Sequence, residues 1–178
     1  MSLWAHFLSG ERIMLKQLIL STLTFCVLFT TTAPTNYKED SILITSQIMA
    51  KEISCMAKNI YFEAGNESYE GKQAVSQVVI NRVNDPRYPK DVCSVIYQRR
   101  GKLYQFSWVG QKKRHIADDE SWYDCVDVAT KTMNASVSHE GLAKTNALFY
   151  HADYVRPKWK LRKLAQIGRH IFYTDDQA

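Results

Sequence analysis

Two stretches with helical periodicity, joined by a two-residue break, limit most strongly what this chain can become. From Glu52 onward, Ile53, Met56, Ala57, Ile60 and Ala64 recur at the spacing that makes one apolar face of a helix. Gly65–Asn66 then stops that helix. Ser68 to Asn84 reads as a second helix, with Ala74, Val75, Val78 and Val79 on one side, Arg82 at the edge of that side and Asn81 on its flank. Asn84–Asp85–Pro86 ends it. Pro89 precedes a short helix over Asp91 to Tyr97, Gly101 to Gln111 reads as irregular or extended, and Asp118 or Asp119 caps a helix carrying Trp122, Cys125, Val126, Ala129 and Met133. Past Gly141 the pattern changes, and Ala147 to Tyr154 and His170 to Thr174 read as β segments. The expectation is an α+β domain, mainly helical with a small β-sheet, and without the alternation that marks a parallel sheet.

The first helix carries the residue of greatest chemical interest. At about 100° per residue, Glu63 falls on the border of the apolar face, near Met56, with Ile60, Tyr61 and Phe62 around it. A carboxyl set against apolar groups is desolvated and keeps its proton to higher pH, which general-acid catalysis requires. A surface glutamate at a helix end has the same local appearance, so spacing alone leaves both readings open.

The N-terminal segment has the order of an export signal. Arg12 and Lys16 precede an apolar, charge-free run from Leu18 to Thr32, with a small-residue exit at Thr30–Thr31–Thr32–Ala33. The run is shorter than the roughly 20 residues of a spanning helix. Pro34 sits just past the best cleavage position, so residues 1–35 are expected to act as a signal peptide or as an N-terminal membrane anchor. Met14, directly before Leu15 and Lys16, is an alternative start. Residues 36–50 are expected to form a linker and 51–178 the functional domain. Export to the periplasm or the cell exterior follows, with retention at the membrane if the segment is not removed.

Net charge narrows the partners. A formal charge of +5 favours a polyanion. The basic residues stand in small clusters at Arg99–Arg100, Lys112–Lys113–Arg114 and Lys158 to Lys163, with no accompanying nucleic-acid motif, so a nucleic acid is not expected. Cys26 lies in the leader. Cys55, Cys93 and Cys125 allow one pair plus one free thiol in an oxidising compartment, and the sequence leaves the pairing open. No C-x-x-C occurs, and His115, His139, His151 and His170 show neither H-E-x-x-H nor any close pair, so neither a metal nor another cofactor is expected.

A set of separated strings carries a family resemblance. They are Ala57 to Ala64, Asn66–Glu67–Ser68, Gly71 to Val75, Val79 to Val83, Tyr88 to Gln98, Gln105–Phe106–Ser107–Trp108, Phe149–Tyr150–His151–Ala152 with Val155, Pro157 and Trp159, and Ile167 to Tyr173. Together, over roughly Ile53 to Thr174, the chain resembles the SleB/CwlJ family of cell-wall hydrolases, whose founding members degrade spore cortex. Two departures stand out: Gly65–Asn66–Glu67 alters the turn after the first helix, and Tyr104 takes a position where many members have cysteine.

The resemblance implies a lysozyme-like domain acting, most simply as a monomer, on peptidoglycan. The bond cut would be the β-1,4 bond between N-acetylmuramic acid and N-acetylglucosamine, in the manner of a lytic transglycosylase with Glu63 as the catalytic glutamate. It places Asn81, Gln105, Phe106, Ser107, Trp108, Tyr150 and His151 as candidate substrate-binding residues. Glu67 is the nearest second carboxylate and is expected to be structural or turn-capping. The alternatives are a muramidase-type hydrolase pairing Glu63 with Glu67, and an inactive wall-binding protein with the same fold.

Overall fold

The computed structural model describes residues 37–111, 114–117, 120–138 and 146–175. The leader, Cys26, the clustered Lys112–Lys113, the candidate caps Asp118 and Asp119, and His139 lie outside the described residues. The chain divides into a unit ending at Ile44 and a second unit, Thr45–Ala178, which contains every packing contact and the site described below.

Helix α1 spans Tyr37–Ala64. Residues 36–50, expected to be a linker, are therefore helical from Tyr37 on. Neither Gly nor Pro occurs between Pro34 and Gly65, Glu39 and Asp40 sit favourably in the first turn, and nothing stops the helix earlier. Burial starts only at its C-terminal part, where Cys55, Met56, Ala57, Asn59, Ile60 and Ala64 are enclosed. The helix ends where expected. A Cβ at Gly65 would stand 2.5 Å from the Tyr61 carbonyl oxygen, so glycine is needed for the chain to turn there. Among the described residues, no helix is long and apolar enough to cross a membrane.

Helix α2, Tyr69–Asn84, starts on the Ser68 side chain, which accepts from the Gly71 amide. Helix α3, Val92–Ile96, starts on Asp91, whose carboxylate accepts from the Ser94 amide at 2.7 Å. Cys93 in α3 is bonded to Cys55 in α1, and Cys125 is buried outside any disulfide. A bridge closing a loop of this size contributes on the order of 2–4 kcal/mol. The segment expected to be irregular or extended is a short hairpin, β1 (Arg99–Arg100) with β2 (Leu103–Tyr104), followed by a 3₁₀ turn over Ser107–Gly110. Helix α4, Glu120–Ser138, packs on α2, where the buried Ser76 and Thr132 hydroxyls bond at 2.9 Å.

The second half is an antiparallel three-stranded sheet in the order β3–β5–β4, with β3 at Phe149–Ala152, β4 at Arg162–Ile167 and β5 at His170–Thr174. Strand β4 was not anticipated. It is an edge strand, largely exposed, it opens on Arg162 and Lys163, and a bulge between Lys163 and Ala165 interrupts its alternation. Helix α2 lies between two apolar clusters. Val79 and Ile80 join the larger one with Met56, Ile60, Val95, Trp108 and Val128. Val75 and Val78 join Ala64, Ala147 and Phe172 on the sheet side. The last turn of α1 is thereby brought against strands β3 and β5.

Candidate active site

Glu63 occupies that last turn and forms the wall shared by two clefts. The larger, about 560 Å³, is bordered by Tyr61, Gly65, Glu67, Arg114, His115, Tyr154, Arg169 and His170. The smaller, about 250 Å³, is bordered by Arg82, Gln105, Phe106, Ser107, Phe149, Tyr150 and Trp159. The carboxyl is largely dehydrated, and this burial raises its pKa above the ordinary glutamate value. Three groups pull the other way. The Tyr150 hydroxyl donates to Glu63 Oε2 at 3.2 Å, and the guanidiniums of Arg114 and Arg82 act through their fields. Glu63 is thus held as an acid that can lose its proton without becoming an isolated buried charge. Tyr150 is partly buried, and dehydration of its hydroxyl pushes its pKa well up, so it remains a donor.

The residues expected to bind substrate separate into three groups. Gln105, Ser107 and Tyr150 do border the smaller cleft with Glu63. With its amide oriented so that the oxygen faces Arg82, Gln105 can accept from both terminal guanidinium nitrogens at 3.3 Å. Phe106 and Trp108 belong to the core. Phe106 is 3% exposed, with the Arg82 guanidinium 5.3 Å from its ring centre. Trp108 is 8% exposed, donates Nε1–H to the buried Asn59 Oδ1 at 3.0 Å and lies against Phe62 with ring centres 4.8 Å apart. Phe106 meets the smaller cleft with little of its surface, and Trp108 borders a separate groove with Tyr97 and Val109.

Asn81 and His151 border neither cleft beside Glu63. The Asn81 amide donates to the Ala147 carbonyl at 2.8 Å and its oxygen accepts from Gln77, which ties α2 to the approach of β3. His151 follows Tyr150 in a strand, so it emerges on the opposite face. There its Nε2 meets the Tyr173 hydroxyl at 3.0 Å, and its ring stacks on Tyr173. His170, read as a sheet residue, is the central-strand partner of Ala152 and Ile167, yet it also borders the larger cleft. Burial lowers its pKa, which favours the neutral ring.

Glu67 has a structural engagement. Its Oε2 accepts the Arg169 amide at 3.1 Å, in the β4–β5 turn. Gly168 in that turn has φ +55°, and a Cβ there would lie 2.0 Å from the same oxygen. The turn therefore favours glycine for its backbone, and a side chain there would displace the Glu67 carboxylate.

Two residues that matter were not singled out as site residues. Arg82 is 3% exposed, donates Nε–H to the Leu148 carbonyl at 2.9 Å and directs its remaining nitrogens at Gln105. Its signal was present in the sequence: an arginine that continues an otherwise apolar helix stripe is a buried cation. Trp159, 44% exposed at the smaller cleft, is the aromatic ring there with an open face. Lying between Lys158 and Lys160, it gave no such signal.

Comparison with known proteins bears on family and fold. The family described as Cell Wall Hydrolase matches residues 66–173, a span that begins just after Glu63. A spore cortex-lytic enzyme of Oceanobacillus iheyensis is 30% identical over 135 residues, which cover 74% of this chain and 45% of that protein. One from Bacillus subtilis is 28% identical over 121 residues, covering 68% and 37%. The chain thus spans less than half the length of these relatives. Among solved structures, the catalytic domain of the germination-specific lytic transglycosylase SleB of Bacillus anthracis superposes with a TM-score of 0.56 at 28% identity, over 69% of this chain and 93% of that domain. The SleB catalytic domain of Bacillus cereus gives 0.52 at 28% identity. The mainly helical, lysozyme-like fold expected from the sequence is the fold these domains share. With more than half of its length matched, the chain belongs to the Cell Wall Hydrolase family.

Proposed function

We propose that this chain carries the glycan-cleaving activity of a peptidoglycan-degrading enzyme. It breaks the bond between N-acetylmuramic acid and N-acetylglucosamine as a lytic transglycosylase, with Glu63 as acid and then base. The observation that carries this reading is the setting of Glu63: a dehydrated carboxyl in the wall between two clefts, touched by the Tyr150 hydroxyl, while Glu67 is engaged by the Arg169 amide. The names of the relatives, spore cortex-lytic enzyme and lytic transglycosylase, support it.

In the first step the protonated Glu63 gives its proton to the glycosidic oxygen as the bond to the anomeric carbon breaks. The resulting carboxylate is stabilised by the Tyr150 hydroxyl and the fields of Arg114 and Arg82. In the second step the sugar's own 6-hydroxyl attacks the anomeric carbon, and its proton passes to Glu63. No water is consumed, the acid is regenerated, and no second carboxylate is needed. A hydrolase would call on Glu67 to activate water or to attack. Purified peptidoglycan digested with the protein should therefore yield anhydro-sugar ends in the mass spectrum. Reducing ends alone, one water heavier, would assign a hydrolase.

The same mechanism sets a pH dependence. Activity needs protonated Glu63, so the rate falls as pH rises through its raised pKa. The Tyr150 hydroxyl stabilises the carboxylate and holds that pKa down. Tyr150→Phe should therefore move the falling limb of the pH–rate profile to higher pH. An unmoved limb, or one displaced toward acid, would remove Tyr150 from the account.

The N-terminal segment, residues 1–35, is proposed to export the enzyme, where its substrate lies, as a cleaved signal or as an anchor. Residues 1–37 fused to a reporter active only outside the cytoplasm should give signal. A reporter confined to the cytoplasm would refute export.

A further inference from the structure

The two clefts beside Glu63 differ in charge. Among the described residues bordering the larger one, the carboxyls are Glu63 itself and Glu67, which is engaged by the β4–β5 turn. Against them stand two guanidiniums, Arg114 and Arg169. Among the described residues, neither has a carboxylate within ion-pair distance. Each is laid on an aromatic ring: Arg114 is 5.5 Å from the centre of Phe62, and Arg169 is 5.7 Å from that of Tyr154. Arg114 is further fixed by its Nε–H, which donates to Gln111 at 2.8 Å. Arg169 is fixed through its backbone, whose amide is held by Glu67 and whose carbonyl accepts the Asp153 amide at 2.8 Å. A guanidinium held by its flat face or its stem keeps terminal N–H groups for a planar anion, which it meets as a fork.

The glycan backbone consists of neutral sugar rings. The anionic groups of a peptidoglycan strand are the free carboxylates of the peptide stems, which branch from every second sugar. With the scissile bond at Glu63, a stem on the adjoining sugar must leave through one of the two clefts. Among the described residues, the larger combines volume with two guanidiniums outside any ion pair, whereas Arg82 in the smaller one is buried and committed to the Leu148 carbonyl. Building on the reading above, we propose that the larger cleft is the seat of the peptide stem next to the scissile bond. Arg114 and Arg169 bind a free carboxylate of that stem, so the enzyme selects peptide-bearing strands. Glu67 then has an indirect part in substrate choice, because it holds the turn that presents Arg169.

Binding tests this apart from cleavage. The full chain carrying Glu63→Gln would be titrated calorimetrically, at low ionic strength, with glycan strands stripped of secondary wall polymers. Three forms are compared: strands with free stem carboxylates, the same strands with those carboxylates converted to amides, and strands whose stems an amidase has removed, which keep only the lactyl carboxylate of the sugar. The free-acid strands should bind about 5- to 10-fold more tightly than the amidated ones, the range expected of exposed charge pairs, and the ratio should shrink as salt is added. Arg114→Gln with Arg169→Gln should bring that ratio close to one while the melting temperature holds. Equal affinity for free-acid and amidated strands overturns the proposal, as does a ratio that survives the double substitution. Stem-free strands that bind as tightly as the free-acid ones assign the carboxylate to the sugar and overturn it too. A chain whose wild-type form cleaves none of the strands, yet whose Glu63→Gln form keeps the free-acid preference, would sink the proposed activity and uphold the subsite.

Discussion

Trp108→Ala should leave little folded protein at 37 °C, whereas Trp159→Ala should fold like the wild type and bind glycan less well. Both tryptophans stand in strings that carry the family resemblance, but their surroundings differ. Trp108 is enclosed by Phe62, Tyr97 and the larger apolar cluster, and its indole N–H satisfies the buried Asn59 oxygen. Truncating a buried aromatic to alanine costs about 3–5 kcal/mol, and stranding the Asn59 acceptor adds roughly 1–3 kcal/mol. Domains of this size hold only about 5–15 kcal/mol in total. Trp159 has almost half of its surface in water, and its loss removes a stacking face rather than a core element. Its variant should show KM raised roughly 3- to 10-fold, the scale of an aromatic stacking contact. Thermal melts read by circular dichroism, paired with initial rates, separate the two. A Trp108→Ala protein that melts near the wild-type temperature would return that residue to the substrate-binding set.

That contrast shows where sequence reading ends. Helix periodicity and cap chemistry are local, so α2, its Ser68 start and the Asp91 start of α3 were legible, as was the position of Glu63 on the border of an apolar face. Whether an aromatic residue faces core or solvent depends on what packs over it from elsewhere in the chain. For Trp108 that is Asn59, forty-nine residues away. The Cys55–Cys93 bridge likewise depends on α3 returning to α1. Tyr150 and His151 were within reach of a better reading. Once Ala147 to Tyr154 is taken as β, neighbouring residues point to opposite faces, so only one of the pair can meet Glu63. Strand β4 was hidden because its bulge and its basic opening residues erase the alternation that would have marked it. Glu67 was expected to be structural or turn-capping, and its carboxylate engages the β4–β5 turn. The partner that engages it, the Arg169 amide, is 102 positions away and could not be named from sequence.

The largest change in rate should come from Glu63→Gln. The amide keeps the shape of the side chain and its capacity to accept from Tyr150, but it cannot deliver a proton to the glycosidic oxygen or take one from the 6-hydroxyl. General acid–base catalysis contributes about 10²–10⁴-fold, and activity should fall by at least the lower figure. Stability should not fall with it. Burial raises the Glu63 pKa above its unfolded value, so the native state holds this proton more tightly than the unfolded chain does. The penalty on folding is therefore absent at acid pH and sets in as pH rises from the ordinary glutamate range through the raised value. A glutamine has no charge to dehydrate, and the variant should melt at or above the wild-type temperature near neutral pH. Glu67→Gln is the matched control, because its side-chain oxygen can still accept the Arg169 amide. The decisive measurement is the initial rate of peptidoglycan solubilisation by wild type, Glu63→Gln and Glu67→Gln, each verified as folded. A single-glutamate site predicts a loss of about 100-fold or more for Glu63→Gln and a rate within a few-fold of wild type for Glu67→Gln. A folded Glu63→Gln enzyme near the wild-type rate, or a Glu67→Gln enzyme equally inactive, would contradict it.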